Sequence, residues 1–313
     1  MNLITPVGTI KQSPNEQAVK PITVGEMVQK YFRWKDAGVN SEHTKRAYHY
    51  EIGRLMQYLG KDAHVECLNR FSLHAFAQQL HEAGLAPRSR RHALSYARDL
   101  VRWANEVGIY AENFAQATRL PRIPKTMPEV PTTTQMDAML DAAAATGWPL
   151  RDRCIAELLY CNLRVYEVAA INLEDVNGDD LLVHGKGKRE RKGFLTPSAK
   201  TALSLYLPDR ERFLRRRGIE SDALFVNRRD CRRITVKSVH RIVKGMAYSA
   251  GLPQYVSPVK LRAACATHLL NNGAPLSTVS QLLGHERIAT TMHYVGAVSP
   301  RRMRESYDQT FKR

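Results

Sequence analysis

The segment Leu282–Tyr294 reads LLGHERIATTMHY and places Tyr294 nine residues after His285. An arginine of the preceding helical segment, Arg262, can complete a phosphate site with this histidine. Positive charge stabilises both a phenolate and a pentacoordinate phosphorane. Tyr294 is therefore a candidate nucleophile toward a phosphodiester, and the rest of the chain has to supply the other groups of such a site.

The composition indicates a polyanionic partner. Among 313 residues, 47 Lys and Arg outnumber 30 Asp and Glu, which gives a formal net charge of +17. Such an excess repels itself unless it meets a polyanion, so nucleic acid is the first expectation and an anionic membrane surface the second. The length suffices for two domains that each bury a core.

The chain carries no signal of a membrane or secreted protein. No apolar run approaches the roughly 20 residues that a membrane span needs, and the N-terminal residues lack a charged lead into an apolar stretch. We therefore expect a soluble, cytoplasmic protein with no membrane partner. The five cysteines are widely spaced and contain no Cys-x-x-Cys pair, which predicts reduced thiols and neither a disulfide framework nor a zinc site.

The first part of the chain has helical patterns only. Residues 1–20 lack periodicity, and we interpret them as a flexible lead before a helical domain over 21–120. A capping box is predicted at Thr23, because Glu26 follows three residues later. The next helices are predicted to begin at Ser41, Ser72 and Pro87 and to end before Gly60, Gly84 and Gly108. This pattern predicts four or five helices and no strand.

Four prolines in eleven residues mark the domain boundary, which we place in an extended linker over 121–133. The second domain, 134–313, contains one hairpin pattern: a strand over Asp180–His184, a glycine-rich turn, and a strand to about Leu195. Its helices are predicted over about 134–145, 149–162, 197–217, 235–250, 257–272, 276–283 and 289–294, with a terminal segment from 300. We therefore predict a mainly α protein, with an α+β second domain that has a small antiparallel sheet.

Two helices of the first domain are predicted to bind DNA phosphates. Lys45 and Arg46 lie on the second helix. On the fourth helix, basic residues recur three and four positions apart on one face: Arg88, Arg91, Arg98 and Arg102. For a single arginine, an ordinary solvated helix face explains the pattern equally well. For the whole cluster the phosphate-binding interpretation is better, because interspersed carboxylates are almost absent.

Further groups suited to a phosphate precede the quoted segment. Arg164 follows an apolar helix, and Glu167 is spaced to hold its guanidinium at i, i+3. Lys186 lies at the tip of a Gly-Lys-Gly turn and can protonate a departing 5′ oxygen. A helix that begins Ser-Pro places Arg262 in its second turn, near an anion-favouring N-terminus. Taken singly, a surface salt bridge and a solvated lysine are the simpler interpretations.

In their order these motifs resemble the tyrosine recombinase (phage integrase) family, in its Xer-like two-domain type. They are Leu-Arg-Val-x-Glu, Gly-Lys-Gly, Ser-Pro-x-x-Leu-Arg with Ala-Thr-His-Leu-Leu, and Leu-Leu-Gly-His with a tyrosine nine residues later. The resemblance covers about residues 22–310. It implies a SAM-like, core-binding N-terminal domain and a catalytic domain with a C-terminal tail. It also implies a site-specific DNA recombinase or integrase that works through a 3′-phosphotyrosyl intermediate and a Holliday junction.

The resemblance assigns a role to each group. Arg164 and Arg262 would bind the nonbridging oxygens of the scissile phosphate, and Lys186 would be the general acid for the 5′ leaving group. His285 would hydrogen-bond the phosphate, and Tyr294 would form the covalent link. The implied partners are double-stranded DNA with inverted-repeat core sites and a homotetramer on that DNA, with or without accessory proteins. No metal or other cofactor is required.

Glu167 would brace this site. One other position of the chain departs from the family pattern. The family usually carries His, or sometimes Lys, three residues before the second arginine, where this chain has Val259. Valine cannot accept a proton, so the base that would assist the tyrosine is missing from its expected place. Lys260 and His293 are candidate stand-ins. Ala263 replaces another usual histidine, and we expect an active enzyme whose cleavage is slower or differently assisted.

Three alternatives compete with recombination. A type IB topoisomerase uses similar chemistry on one duplex, but the Leu-Leu-Gly-His frame and the chain length favour a recombinase. A noncatalytic or impaired DNA-binding relative is favoured by Val259 and Ala263, whereas retention of the five catalytic-type groups argues against it. A basic helical RNA-binding protein would leave the ordered motifs unexplained. The biological task, whether integration of a mobile element, cointegrate resolution or dimer resolution, is left open by the sequence.

Overall fold

The structure is a computed structural model that describes residues 22–39, 41–123, 129–185, 190–285, 287–295 and 298–310. The chain divides into two compact units, Met1–Lys125 and Thr126–Arg313. Within the described residues both units are mainly helical, and the second also contains a small sheet.

The first unit is built from helices. They are α1 (Val24–Gly38), α2 (Glu42–Leu59), a 3-10 turn (Val65–Cys67), α3 (Arg70–Glu82) and α4 (Pro87–Glu106). The capping box of Thr23 and Glu26 forms as predicted. The third helix begins before the predicted Ser72, because the Asn69 side chain accepts the N–H groups of Phe71 and Ser72 and so caps it earlier.

Aromatic side chains fill the core of the first unit. Tyr31 is fully buried and meets Tyr48 and Trp103 edge-on, with ring centroids 6.4 and 5.5 Å apart. Its hydroxyl donates to Asp99 Oδ2 at 2.8 Å, which satisfies the buried phenol. The predicted inward face of α4 is also buried: Leu94, Ala97 and Val101. The opposite, basic face of α4 is thereby directed to the surface.

The second unit begins with α5 (Thr133–Asp141), a 3-10 turn (Ala142–Ala145), α6 (Pro149–Tyr160) and α7 (Val165–Ala170). The strands follow as β1 (Val176–Asn177), β2 (Asp180–His184) and β3 (Glu190–Phe194). The remaining helices are α8 (Pro197–Arg215), α9 (Val236–Ser249), α10 (Pro258–Asn271), α11 (Leu276–Leu283), α12 (Ile288–Val295) and α13 (Pro300–Thr310). The described strands form one antiparallel sheet in the order β1-β2-β3. The predicted pairing of the two hairpin strands is confirmed, and residues 186–189 of their turn lie outside the described residues. Helix α7 and strand β1 lie outside the predicted elements.

Helix α6 is the centre of the second unit. Ile155, Leu158 and Leu159 are fully buried, and even its charged Glu157 is only 1% exposed. A helix that is buried all round packs against neighbours on every side, and α6 packs against α5, α7, α8, α9 and α10. The turn that follows α6 is consequently held in the interior, and it carries the first residues of the candidate site.

No helix in the described ranges is both long and apolar enough to cross a membrane. All five cysteines are free, and Cys154, Cys161 and Cys231 are buried. Among the residues that the structure describes, no group of three or more His, Cys, Asp or Glu side chains is placed to hold a metal ion.

Candidate active site

Arg164 occupies the N-cap position of α7, shortly after α6 ends at Tyr160. The intervening turn includes Asn162 at a φ of 80°, in the left-handed region that asparagine tolerates better than most residues. Glu167 accepts the backbone N–H of Arg164 at 2.7 Å and its Nη1 at 2.8 Å. The i, i+3 pair expected from the sequence therefore forms, and it fixes the guanidinium relative to the start of α7.

The second arginine is buried by α10. Pro258 occupies the first helical position and Ser257 the N-cap, although the Ser257 hydroxyl accepts no backbone N–H. Arg262 is 8% exposed. It donates from Nη1 to the Asn162 carbonyl at 2.6 Å and from Nη2 to the Leu283 carbonyl. A guanidinium has more N–H donors than these two carbonyls take, so Arg262 can also bind an anion.

Glu167 is the anionic centre of this arginine cluster, and its side chain is fully buried. Besides Arg164, the carboxylate meets Arg191 Nη2 at 2.9 Å and Arg262 Nη1 at 3.8 Å. Burial alone would raise the pKa of Glu167, but the Arg164 N–H and the neighbouring guanidinium charges outweigh it, so the pKa is lowered. Three guanidinium groups around one carboxylate leave an excess of positive charge, which suits a phosphate.

Burial and the neighbouring positive charges also change the pKa of Arg262. Burial, and next the charge of Arg164, lower the pKa of Arg262 to about 10. The guanidinium stays positively charged at neutral pH. A cation that is held away from water interacts more strongly with a bound anion than an exposed one does. Arg262 is therefore well placed to stabilise charge that develops on a phosphate.

His285 follows Gly284, whose φ of 59° ends α11 in the left-handed conformation. Its Nδ1 lies 2.8 Å from Oγ1 of Thr291, a fully buried side chain of α12. Burial, and next the charge of Arg262, lower the pKa of the imidazole to about 4. His285 is therefore neutral at pH 7. When the Thr291 hydroxyl donates to Nδ1, the ring carries its proton on Nε2 and can donate it to a phosphate oxygen.

Replacing Thr291 by valine is expected to lower the DNA cleavage rate about fivefold, because the loss of one orienting hydrogen bond is worth about 1 kcal/mol. Valine keeps the shape of the side chain and removes its hydroxyl. The measurement is single-turnover cleavage, with Thr290→Val on the exposed neighbour as control. Thr291→Ser should restore most of the rate. Equal rates for Thr291→Val and wild type would contradict the orienting role.

Tyr294 lies half-buried on α12 and packs against a small apolar cluster. The buried members of that cluster are Ala266, Leu270, Val279 and Leu283. The phenol lies close enough to Arg262 for a charged Tyr294 to favour the charged form of that arginine. His293 is exposed beside it, with ring centroids 6.0 Å apart. The structure thus brings Arg164, Arg262, His285 and Tyr294 together in one unit.

The remaining predicted groups are placed differently. Lys186 lies outside the described residues. The ammonium of Lys260 donates to the Glu129 carbonyl at 2.8 Å and lies 5.7 Å above the ring of Tyr255. Val259 is 63% exposed on the first turn of α10. Lys260 is thus held by the segment that precedes α5, whereas His293 lies beside the tyrosine.

The sequence motifs did not point to Arg191 or Asn162. Arg191 lies on β3 and donates to Oε2 of Glu167. Strand alternation puts Arg191 on the same face of β3 as Gly193, and the structure shows that Gly193 is buried, so the charged Arg191 needs a buried partner on that face. Asn162 carried no comparable signal, since its contribution is a backbone carbonyl aimed by an uncommon backbone conformation.

In the first unit the predicted phosphate-binding residues are largely at the surface. Arg46, Arg88, Arg91 and Arg102 are exposed, and Lys45 and Arg98 are half-buried. Arg98 donates from Nε to the Ala115 carbonyl at 2.6 Å, and Arg91 donates from Nη1 to the Pro121 carbonyl at 3.1 Å. The Nζ of Lys45 lies 3.5 Å from Oε1 of Glu42. Arg98 is therefore engaged within its own unit, and the phosphate-binding role of this face stays a prediction.

Comparison with known families covers both units. The model described as Phage integrase family matches residues 129–299, and the model described as Phage integrase, N-terminal SAM-like domain, matches residues 30–108. The chain is similar to the tyrosine recombinase XerC of Alcanivorax borkumensis, with 32% identity over 259 residues that cover 81% of this chain and 83% of the relative. It is similarly close to the tyrosine recombinase XerD of Caulobacter vibrioides, with 32% identity over 261 residues, 81% of this chain and 86% of the relative.

Solved structures share the fold. A lambda integrase dimer bound to a COC′ core site superposes with a TM-score of 0.71 at 17% identity, over 88% of this chain and 77% of that one. The Tn1549 transposon integrase in complex with transposon right end DNA gives a TM-score of 0.70 at 17% identity, over 92% of this chain and 99% of that one. The predicted mainly α fold with a SAM-like N-terminal domain and a small antiparallel sheet is confirmed.

Proposed function

Since this chain belongs to the phage integrase family of DNA strand-transferring enzymes, we propose that it is a site-specific DNA recombinase that works through a 3′-phosphotyrosyl intermediate and a Holliday junction. The observation that carries this proposal is the cluster of Arg164 and Arg262 around the buried Glu167, with His285 and Tyr294 beside it. The similarity to Xer recombinases and to integrases solved with DNA supports DNA as the substrate.

Each group has a role at the scissile phosphate. The guanidiniums of Arg164 and Arg262 bind the nonbridging oxygens, and His285 donates from Nε2 to the same phosphate. The Tyr294 oxygen attacks phosphorus, the bond to the 5′ oxygen breaks, and the electron pair goes to that oxygen, which takes a proton from Lys186. A 5′ hydroxyl then attacks the phosphotyrosine in the reverse sense. The phosphotyrosyl bond conserves the energy of the broken phosphodiester, so the reaction needs no nucleotide cofactor.

The proton of Tyr294 needs an acceptor, and Val259 cannot supply one. We expect Val259→His to raise the single-turnover cleavage rate at least tenfold, because a positioned general base contributes about 10²–10⁴-fold. The position lies three residues before Arg262 on the same face of α10 and is 63% exposed. The exposed position therefore has room for the larger imidazole. The rate should rise with pH through the ordinary pKa of histidine, about 6.5.

The matched control is Val236→His, which puts a histidine on an exposed valine at the start of α9, outside the candidate site. It should leave the cleavage rate unchanged. Equal rates for Val259→His and wild type would mean that position 259 does not limit cleavage. In that case His293→Ala and Lys260→Ala show which stand-in accepts the proton, because only its loss lowers the rate.

Covalent capture tests the proposed function and identifies the DNA site in the same experiment. Fragmented genomic DNA of the source organism is incubated with the protein and denatured, and the DNA that stays attached is sequenced at its ends. Clustered ends with a protein-linked 3′ phosphate, and phosphotyrosine after acid hydrolysis, are the expected result. A suicide substrate is then built from those ends. The absence of covalent DNA under all conditions that support binding would overturn the proposal.

The alternatives give different outcomes in the same experiments. We propose inverted-repeat core sites and four protomers on the junction, so two labelled duplexes should exchange strands. Relaxation of one supercoiled duplex with no exchange between two would instead indicate a topoisomerase. Val259 and Ala263 are the observations that favour a noncatalytic DNA-binding relative. Such a protein would retain the DNA and leave it uncut.

A further inference from the structure

Arg191 is the third arginine of the candidate active site, and it contacts three parts of the second unit. Its Nη2 donates to Glu167 Oε2 at 2.9 Å and lies 3.4 Å from the Asn162 carbonyl. Its Nη1 lies 3.4 Å from the Leu282 carbonyl. One side chain of β3 thus connects the start of α7, the turn after α6 and the end of α11.

The orientation of Glu167 depends on Arg191. Oε1 of this carboxylate accepts from Arg164 Nη1, and Oε2 accepts from both the Arg164 backbone N–H and Arg191 Nη2. A fully buried carboxylate is stable only when it is paired and hydrogen-bonded. Without Arg191 the carboxylate is expected to turn toward Arg262 Nη1, now 3.8 Å away. That turn would pull Arg262 away from the Asn162 carbonyl and change the fork offered to a phosphate.

Arg191 also supports the turn that leads to His285. A Cβ added to Gly284 would lie 3.0 Å from Arg191 Cδ and 3.2 Å from its Nε, so the stem of the arginine packs directly against this turn. The Nε is buried and has no hydrogen-bond partner in the described part of the chain. A buried donor without a partner costs about 1–3 kcal/mol.

We propose that Arg191 is a positioning residue for strand cleavage, which acts through Glu167 and the Gly284 turn to hold Arg164, Arg262 and His285 in their phosphate-binding geometry. The proposal rests on the proposed recombinase function. It predicts that removal of Arg191 impairs the chemical step and leaves DNA binding intact. A displacement of about 1 Å at a reacting centre can cost roughly 100-fold in rate.

A double-mutant cycle tests whether Arg191 acts through Glu167. Arg191→Met, Glu167→Gln and the double variant are compared in single-turnover cleavage of the suicide substrate, and DNA affinity is measured by mobility shift. Arg191→Met should lower the rate roughly 100-fold and change the Kd less than about twofold. The double variant should be no slower than the slower single variant, because both changes break one unit. If the rate losses of the two single variants multiplied in the double variant, Arg191 would act independently of Glu167, and the proposal would be overturned.

Two further variants separate positioning from structural loss. Arg210→Lys changes another buried arginine that is bonded to carbonyls, those of Ala223 and Leu224, outside the site. It should lower the Tm and leave the cleavage rate unchanged. Arg191→Lys keeps the charge and one donor to Glu167, and its expected loss is about tenfold, the value of one hydrogen bond to a charged group. If Arg191→Met does not fold, Arg191→Lys takes its place in the cleavage assay. A wild-type rate for Arg191→Lys would overturn the proposal.

The wild-type protein in the same assay separates failure of the Arg191 proposal from failure of the proposed function. If wild type forms the covalent complex and Arg191→Met forms it equally fast, only the positioning role of Arg191 is overturned. If wild type forms no covalent complex with the captured DNA ends, the proposed function is overturned, and the role of Arg191 in cleavage with it.

Discussion

Replacement of Tyr294 by phenylalanine is expected to abolish the covalent protein–DNA complex and to leave DNA binding intact. The substitution removes only the phenolic oxygen, so the ring still fills the apolar cluster that includes Leu270 and Leu283. Without that oxygen no phosphotyrosyl bond can form, and the loss of a nucleophile typically costs at least about 10⁴-fold in rate. Arg164 and Arg262 keep their contacts and can still bind a phosphate.

Two measurements are needed for Tyr294→Phe: denaturant-resistant complex on the suicide substrate, and Kd by mobility shift. The matched control is Tyr307→Phe on α13, a tyrosine that is 55% exposed and also lies near an arginine, with Arg304 6.0 Å from its ring. Tyr307→Phe should form the complex at the wild-type rate. If Tyr307→Phe lost the complex and Tyr294→Phe kept it, the nucleophile would be Tyr307 and the assignment from the spacing to His285 would be wrong.

The elements that could be predicted from the sequence are those whose signals are local. The bounds of β2 and α11 agree with the prediction, because β2 is a short apolar run between Asp180 and His184, and α11 lies between Pro275 and Gly284. Helix α7 was missed because it lacks such a local signal at its start. Its N-cap is Arg164, which is not a usual capping residue, and the Glu167 side chain alone caps the helix by accepting the Arg164 N–H.

The contacts of the site were harder to predict, because they join residues that are distant in the sequence. The spacing of Arg164 and Glu167 predicts their ion pair, since both lie on one helical turn. The same spacing cannot show that Arg191 shares this carboxylate, because that contact depends on how β3 packs beside α7. Lys260 illustrates the reverse case. It is a candidate stand-in because it is adjacent to Val259 in the sequence, but successive residues point about 100° apart around a helix, and its ammonium lies on the Glu129 carbonyl.

The second large effect is expected from Arg262→Lys, which should lower the cleavage rate roughly 10³-fold although it conserves the charge. The guanidinium donates to the Asn162 and Leu283 carbonyls and still has N–H groups for two phosphate oxygens. A lysine ammonium on a single stem cannot satisfy both carbonyls and also hold a phosphate in a fixed orientation. The transition state loses a fork of donors that water cannot readily replace, because Arg262 is only 8% exposed.

Arg262→Lys also leaves a buried carbonyl without its donor, which costs about 1–3 kcal/mol of stability, so the rate must be separated from folding. Arg151→Lys is the matched control, because Arg151 is 7% exposed and donates from Nη1 to the Val226 carbonyl at 3.0 Å, outside the site. Both variants should lower the Tm by several degrees. Only Arg262→Lys should lower the single-turnover rate, with a Kd for DNA within about twofold of wild type because the charge is kept. Equal rates in the two variants at a temperature where both are folded would mean that Arg262 supports the fold and does not bind the scissile phosphate.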